Sequence, residues 1–216
     1  MFNQEKNTTQ LSTAVSNLLS EISTSLFTSN AGHQISKDKI LKLLNPSEWL
    51  CDQIINICLE RIVSPDIVLK DTFFFVELVS ETERLSYPKW KSIFESSKTW
   101  AIPVNLGCHW LLMVLRNQAD ILEIECWDSL PTHQSIEKLR ILLVNSYNRL
   151  TFAKKQVSFS VKADCYIQVD QSNCGAFMIS NIIALVRKLK PCNINPVEAR
   201  LAIALMIFQS IRPAVN

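Results

Sequence analysis

The run Tyr166-Ile167-Gln168-Val169-Asp170-Gln171-Ser172-Asn173-Cys174-Gly175 concentrates the groups of this sequence best suited to chemistry. It reads as a short strand, a polar turn, and a cysteine opening an apolar helix that continues Ala176-Phe177-Met178-Ile179. A thiol at a helix start lies beside unpaired backbone N–H groups and the positive end of the helix dipole, and both favour thiolate. Gly175 lets another backbone or a substrate approach closely. Gln168, six residues before Cys174, can offer an amide N–H where an oxyanion would form. Such a thiol still needs a base, and the base an orienter.

His109-Trp110 opens one expected strand and Trp127-Asp128-Ser129-Leu130 closes the next, with a turn at Asn117-Gln118-Ala119-Asp120 between them. In that hairpin, residues 109 and 128 lie roughly opposite each other at the open end. Asp128 can accept from one imidazole nitrogen and leave the other facing a thiol. Taken singly, each residue is ordinary: histidine at a strand start is usually structural, Asp before a turn usually forms it, and Cys-Gly at a helix start is usually packed. Their weight comes from all three falling at element ends that can converge. His33, in a polar connector, and His133, after Pro131-Thr132 at a helix start, compete poorly.

The elements that must position these groups follow from periodicity. Leu11, Ala14, Val15, Leu18, Leu19, Ile22 and Leu26 fall at helical spacing, an amphipathic stripe that packs on the main domain or docks a partner. Residues 28–37 read as a polar connector and 38–44 as a helical turn. Asn45-Pro46-Ser47-Glu48-Trp49-Leu50-Cys51-Asp52 reads as a helix start capped by Ser47, running on through Leu59. A strand is expected at 72–78 and a helix near 87–97 with Pro88 at its start. Strands follow near 100–106, 109–116 and 119–127, then a helix over 132–149. Strands at 155–161 and 165–169 and helices at 174–190 and 196–211 complete the chain. Helices, a central run of strands, then helices again indicate α+β with a mixed sheet. Residues 1–37 form an N-terminal segment with its amphipathic helix, and 38–216 one catalytic domain.

The 216 residues suffice for one sizeable domain, and a 48% hydrophobic content with five Trp and ten Phe fills its core. A net charge of +2 makes no electrostatic case for nucleic acid or a membrane surface. The seven cysteines, odd in number and without a C-x-x-C pair, suggest reduced thiols in a cytosol-like compartment and no disulfide or zinc framework. No basic-then-apolar N-terminus and no run of about 20 apolar residues appears, so neither a Sec signal nor a membrane span is expected.

The same residues carry a likeness. The chain resembles the ubiquitin-like-protein-specific cysteine proteases, the adenain-like clan of papain-like fold that includes the sentrin/SUMO and NEDD8-specific proteases. The match lies in four blocks: Trp49-Leu50-Cys51-Asp52, His109-Trp110, Trp127-Asp128-Ser129-Leu130, and Gln168 to Gly175. Their order, His, Asp, Gln, Cys, is the family's order. The resemblance implies Cys174 as nucleophile, His109 as base and acid, Asp128 as orienter and Gln168 as oxyanion donor. It gives Trp49 and Trp110 the walls of a narrow channel for a substrate's Gly-Gly tail, and Asp52 a contact with that tail. The family often has Asn where Cys51 stands and Asp where Asn173 stands. The Asn45-to-Trp49 start looks closer to the NEDD8-protease branch.

The implied activity is a thiol isopeptidase that removes ubiquitin or a relative from lysine after Gly-Gly. It would need no cofactor or metal and would act as a monomer on ubiquitin, NEDD8 or SUMO conjugates. We place ubiquitin first, with NEDD8 and SUMO next. A clan-related acetyltransferase and an idle modifier-binding module are the alternatives from other classes. The tight Trp-flanked motifs and Asp128 lean against the first, and the complete constellation against the second. The expected compartment is the cytoplasm, or a host's cytoplasm for a delivered bacterial effector.

Overall fold

The computed structural model describes residues 13, 17, 25–131, 133–150, 155–165, 167–191 and 194–213. The stripe residues Leu11, Ala14, Val15, Leu18, Leu19 and Ile22 lie outside them. Leu26 begins a strand instead.

A five-stranded mixed sheet carries the structure: β3 (Ile67–Leu69), β4 (Thr99–Asn105), β5 (Trp110–Asn117), β6 (Ile121–Trp127) and β7 (Gln156–Val161), hydrogen-bonded in that order. The inner pairs are antiparallel and the outer two parallel, which makes the sheet mixed as the α+β pattern requires. Strand β5 is apolar from Trp110 to Leu115 because both of its faces are covered. Leu111, Met113 and Leu115 face one core with Phe74, Phe75, Trp90 and Leu139. Leu112 and Val114 face the other, with Ile54, Ile57, Met178, Ile182 and Ile203.

Helices α2 (Asp52–Leu59), α6 (Cys174–Val186) and α7 (Pro196–Phe208) cover the second face. Helices α3 (Phe74–Leu78), α4 (Glu83–Phe94) and α5 (His133–Asn148) cover the first. Those three are tied by a buried relay in which Trp90 Nε1 donates to Ser146 Oγ at 2.8 Å and Ser146 Oγ donates to the Leu78 carbonyl at 2.6 Å. A separate antiparallel sheet, β2-β1-β8, joins β1 (Leu26–Ser29) to β2 (Gln34–Ser36) and to β8 (Ile211–Pro213). Half of the segment expected as a polar connector, residues 28–37, is therefore strand, and this small sheet places Phe27 and Ile35 in the core beside α1 (Lys37–Leu43).

The expected strand at 72–78 is helix α3. Asp71 Oδ1 accepts from the amides of Phe73 and Phe74, both at 2.9 Å, and so starts a helical turn. Phe74, Phe75 and Leu78 are buried while Phe73 and Val76 are exposed, a helical and not an alternating division. Helix α4 starts before the expected position and holds Pro88 inside it, where the missing N–H forgoes only a bond to the carbonyl of exposed Arg84. Among the described residues of 165–169 no strand forms, and Gln168 N donates to the Ser129 carbonyl at 2.8 Å.

Helix α2 begins at Asp52 and Ser47 caps nothing. Cys51 occupies the cap position without a side-chain bond. Residues 45–51 stay non-helical because side chains from elsewhere take their carbonyls. Asn173 Nδ2 donates to Pro46 O at 3.1 Å, Trp110 Nε1 donates to Leu50 O at 2.9 Å, and Arg200 donates to Glu48 O.

Candidate active site

The site lies where the open end of the β5–β6 hairpin meets the first residue of α6. In the ladder Leu112 faces Trp127, a register that sets residue 128 across from Leu111 and two positions from His109. The two side chains meet on the diagonal, from residues just beyond the paired strands. His109 Nε2 and Asp128 Oδ1 are 2.5 Å apart, with the His109 side chain 17% exposed and that of Asp128 fully buried. The carboxylate is further fixed by the Leu130 amide, at 2.9 Å from Oδ1, and by Ser135 Oγ, at 3.5 Å from Oδ2.

With Nε2 turned to Asp128, the imidazole has Nδ1 left for Cys174, and the two side chains share a hydrogen bond. Burial opposes protonation of His109. The hydrogen bonds to Asp128 and Cys174 and the negative charge of both outweigh it, raising the pKa from 6.5 to about 9. At neutral pH His109 thus holds its proton. Cys174 is buried as the first residue of α6. Burial pushes the thiols of Cys58, Cys126 and Cys165 up, away from thiolate. The six described cysteines form no disulfide.

Gln168 is buried, and Ser129, the residue after Asp128, sets its orientation. Ser129 Oγ donates to Gln168 Oε1 at 2.8 Å, while Gln168 Nε2 donates to the Asp170 carbonyl at 2.6 Å. One amide hydrogen is so engaged, and the second remains a donor. Asp170 then shapes the turn into Cys174, its Oδ1 accepting from the Ser172 and Asn173 amides, each at 2.9 Å.

Trp110 is buried against the start of α6, and Trp49 is 51% exposed. Gly175 packs against Leu50 and Trp110. A Cβ there would lie 3.0 Å from Leu50 Cβ and 3.3 Å from Trp110 Cδ1, so it is these side chains that approach Gly175 closely. Asp52 is half-buried in the first turn of α2. His33 stands apart, 3.8 Å from Glu60, and α5 begins at His133.

Sequence reasoning missed two residues around the site. Ser129, in the Trp127-to-Leu130 block, carries no role in the sequence pattern yet holds Gln168. Arg200, 1% exposed, donates from Nε to Asn173 Oδ1 at 2.5 Å. Its signal was a lone arginine within the otherwise apolar stretch Ala199-Arg200-Leu201-Ala202-Ile203.

A profile of the Ulp1 protease family, C-terminal catalytic domain, matches residues 48–195. The chain belongs to this family. All four motif blocks fall within the matched residues. No curated protein matches the chain. Among solved structures, the yeast Ulp1 protease domain in complex with Smt3, the yeast ortholog of SUMO, is 18% identical with a TM-score of 0.65, covering 91% of this chain and 93% of that one. The Chaetomium thermophilum Ulp1-like SUMO protease catalytic domain is 19% identical with a TM-score of 0.62, covering 94% and 89%. The Xanthomonas campestris effector XopD, bound to ubiquitin, is 16% identical with a TM-score of 0.59, covering 76% and 92%. At these identities the structural likeness speaks for the shared Ulp1-family fold.

Proposed function

We propose that this Ulp1-family chain is a cysteine isopeptidase that releases ubiquitin or a ubiquitin-like modifier from lysine by cleaving after its C-terminal Gly-Gly. The observation that carries the proposal is the His109 imidazole held between the buried Asp128 carboxylate and Cys174.

Cys174 sulfur attacks the carbonyl of the terminal glycine, and the carbonyl electrons move onto oxygen. The free Gln168 amide hydrogen and the Cys174 backbone N–H stabilise that oxyanion. His109 delivers its proton to the departing lysine nitrogen as the C–N bond breaks, leaving a thioester. Water then gives a proton to His109 and its oxygen to the carbonyl carbon, and the thiol leaves with the free carboxylate formed. Asp128 holds the ring in place throughout and balances its positive charge. In this reading Trp49 and Trp110 flank the channel for the Gly-Gly tail and Asp52 contacts that tail. Two flat aromatic walls admit glycine and exclude residues with a Cβ.

Ubiquitin is placed first among modifiers because the effector relative is bound to it; SUMO, held by the yeast relative, comes next. The test is covalent trapping with C-terminally electrophilic ubiquitin, NEDD8 and SUMO probes on wild type and Cys174→Ala. A mass shift with one probe, lost in the variant, is the expected outcome and names the modifier. No shift with any probe refutes the isopeptidase, and acetyl-CoA labelling then tests the acyl-transfer alternative.

A further inference from the structure

Arg200 is a buried cation that the mechanism above does not use. It sits in the second turn of α7, and its donors converge on two segments distant in sequence. Nη1 donates to the Leu43 carbonyl at 2.9 Å and Nη2 to the Glu48 carbonyl, both in the stretch leading to Trp49. Nε donates to Asn173 Oδ1 at 2.5 Å and Nη2 to the Ser172 carbonyl at 3.2 Å, in the turn leading to Cys174. Asn173 closes the same link from its other end by donating to the Pro46 carbonyl at 3.1 Å.

The partners of this guanidinium are an amide and backbone carbonyls; among the described residues it makes no ion pair. A neutral Asn173 next to the thiol leaves the positive charge uncancelled at that contact. Burial lowers the pKa of Arg200 to about 10, against the charges of Asp170, Cys174 and Glu48, so it stays cationic at neutral pH. The charged groups that act on Arg200 are Asp170 from the turn before α6, Cys174 at its start and Glu48 from the facing segment, while His109, held by Asp128, faces Cys174 from the hairpin. The Asp170 carboxylate is occupied by the Ser172 and Asn173 amides.

We propose that Arg200 is a positioning residue for the nucleophile: it clamps the turn before Cys174 to the Leu43–Glu48 segment and sets a fixed positive charge behind the thiol, favouring thiolate from outside the Cys174–His109–Asp128 constellation. The inference rests on Cys174 being the nucleophile. The charges of Arg200 and Cys174 interact across that turn, a neighbouring cation moves the titration of an ionising group by about one pH unit or more, and a clamp joining nucleophile and channel wall couples rate to tail binding.

The test is the pH dependence of iodoacetamide alkylation of Cys174, followed by mass spectrometry on the full chain, which needs no modifier. Arg200→Lys and Arg200→Gln both lose the forked bonds, but only Arg200→Gln loses the charge. The expected result is an alkylation midpoint about one pH unit higher in Arg200→Gln, with Arg200→Lys close to wild type. With the modifier that the probes identify, KM rises in both variants, while kcat at neutral pH falls about tenfold in Arg200→Gln alone. Equal midpoints for the two variants overturn the proposal. Should Arg200→Gln fail to fold by circular dichroism, Asn173→Asp decides. Its carboxylate pairs the guanidinium, so the midpoint rises, and an unchanged midpoint overturns the proposal. A wild-type Cys174 alkylated no faster than exposed Cys108 at neutral pH would overturn the nucleophile assignment itself.

Discussion

Raising the pH should narrow the stability gap between the wild-type chain and His109→Gln, and the structure sets the size and the window. In the folded chain burial pulls His109 down, yet its bonds and charge interactions with Asp128 and Cys174 bring its pKa from 6.5 to about 9. The folded value lies above the unfolded one, so the proton binds the folded state more tightly. The resulting stability is fully present below about pH 6.5 and is lost as pH rises through about 9. A gap of that width corresponds to on the order of 3 kcal/mol. The ring is well shielded, 17% exposed against a fully buried carboxylate, so solvent screening removes little of it. Urea titrations of both proteins at several pH values from about 6 to about 10 give the gap directly. It should shrink by that order across the series, most steeply between about 6.5 and 9. Asp128→Asn against Asp128→Asn/His109→Gln should show a much flatter profile, because burial then prevails. A wild-type gap that stays constant across the range, or widens with pH, refutes the assignment of the proton to this pair.

Three further outcomes follow from contacts at the same site. Trp110→Phe removes the 2.9 Å bond to the Leu50 carbonyl and leaves that buried acceptor unpaired. It should lower unfolding free energy by about 1–3 kcal/mol in a denaturant titration. Gly175→Ala forces a Cβ to within 3.0 Å of Leu50 Cβ, and overpacking of this kind costs about 1–3 kcal/mol, read as a fall in melting temperature. Gln168→Ala takes away the amide that Ser129 and Asp170 orient and should cut turnover by about 10²–10³-fold in a single-turnover assay, with the circular dichroism spectrum unchanged.

What could be read without coordinates was whatever local pattern dictates. The β5–β6 hairpin, the long helices after Cys174 and Pro196, and the meeting of His109 with Asp128 follow from alternation, turn chemistry and helix starts. The family of the chain was legible in its four blocks. Strand pairing was misjudged by two positions at the hairpin mouth, because the ladder ends before residues 109 and 128. Residues 72–78 misled because three phenylalanines favour strand by propensity, while an upstream carboxylate, Asp71, starts a helix. The helix expected from Ser47 fails for a different reason. Its carbonyls are claimed by Asn173, Trp110 and Arg200, and no window of sequence around residue 47 contains those partners. The strands β1, β2 and β8 are only a few residues long, too short for periodicity to reveal, and β1 and β8 pair across most of the chain.

The clamp at Arg200 also orders events during synthesis. The central sheet is complete once β7 has formed at residue 161, and Cys174 follows soon after, with His109 and Asp128 already in the chain. Neither the turn before the thiol nor the segment carrying Trp49 can be locked until residue 200 follows, and β1 waits still longer for its partner strand at 211–213. A nascent chain therefore holds a thiol, an imidazole and a carboxylate before it holds the part that fixes the thiol against its channel wall. Helix α7 works as a bolt between two segments distant in sequence, and contacts of such separation are slow to form.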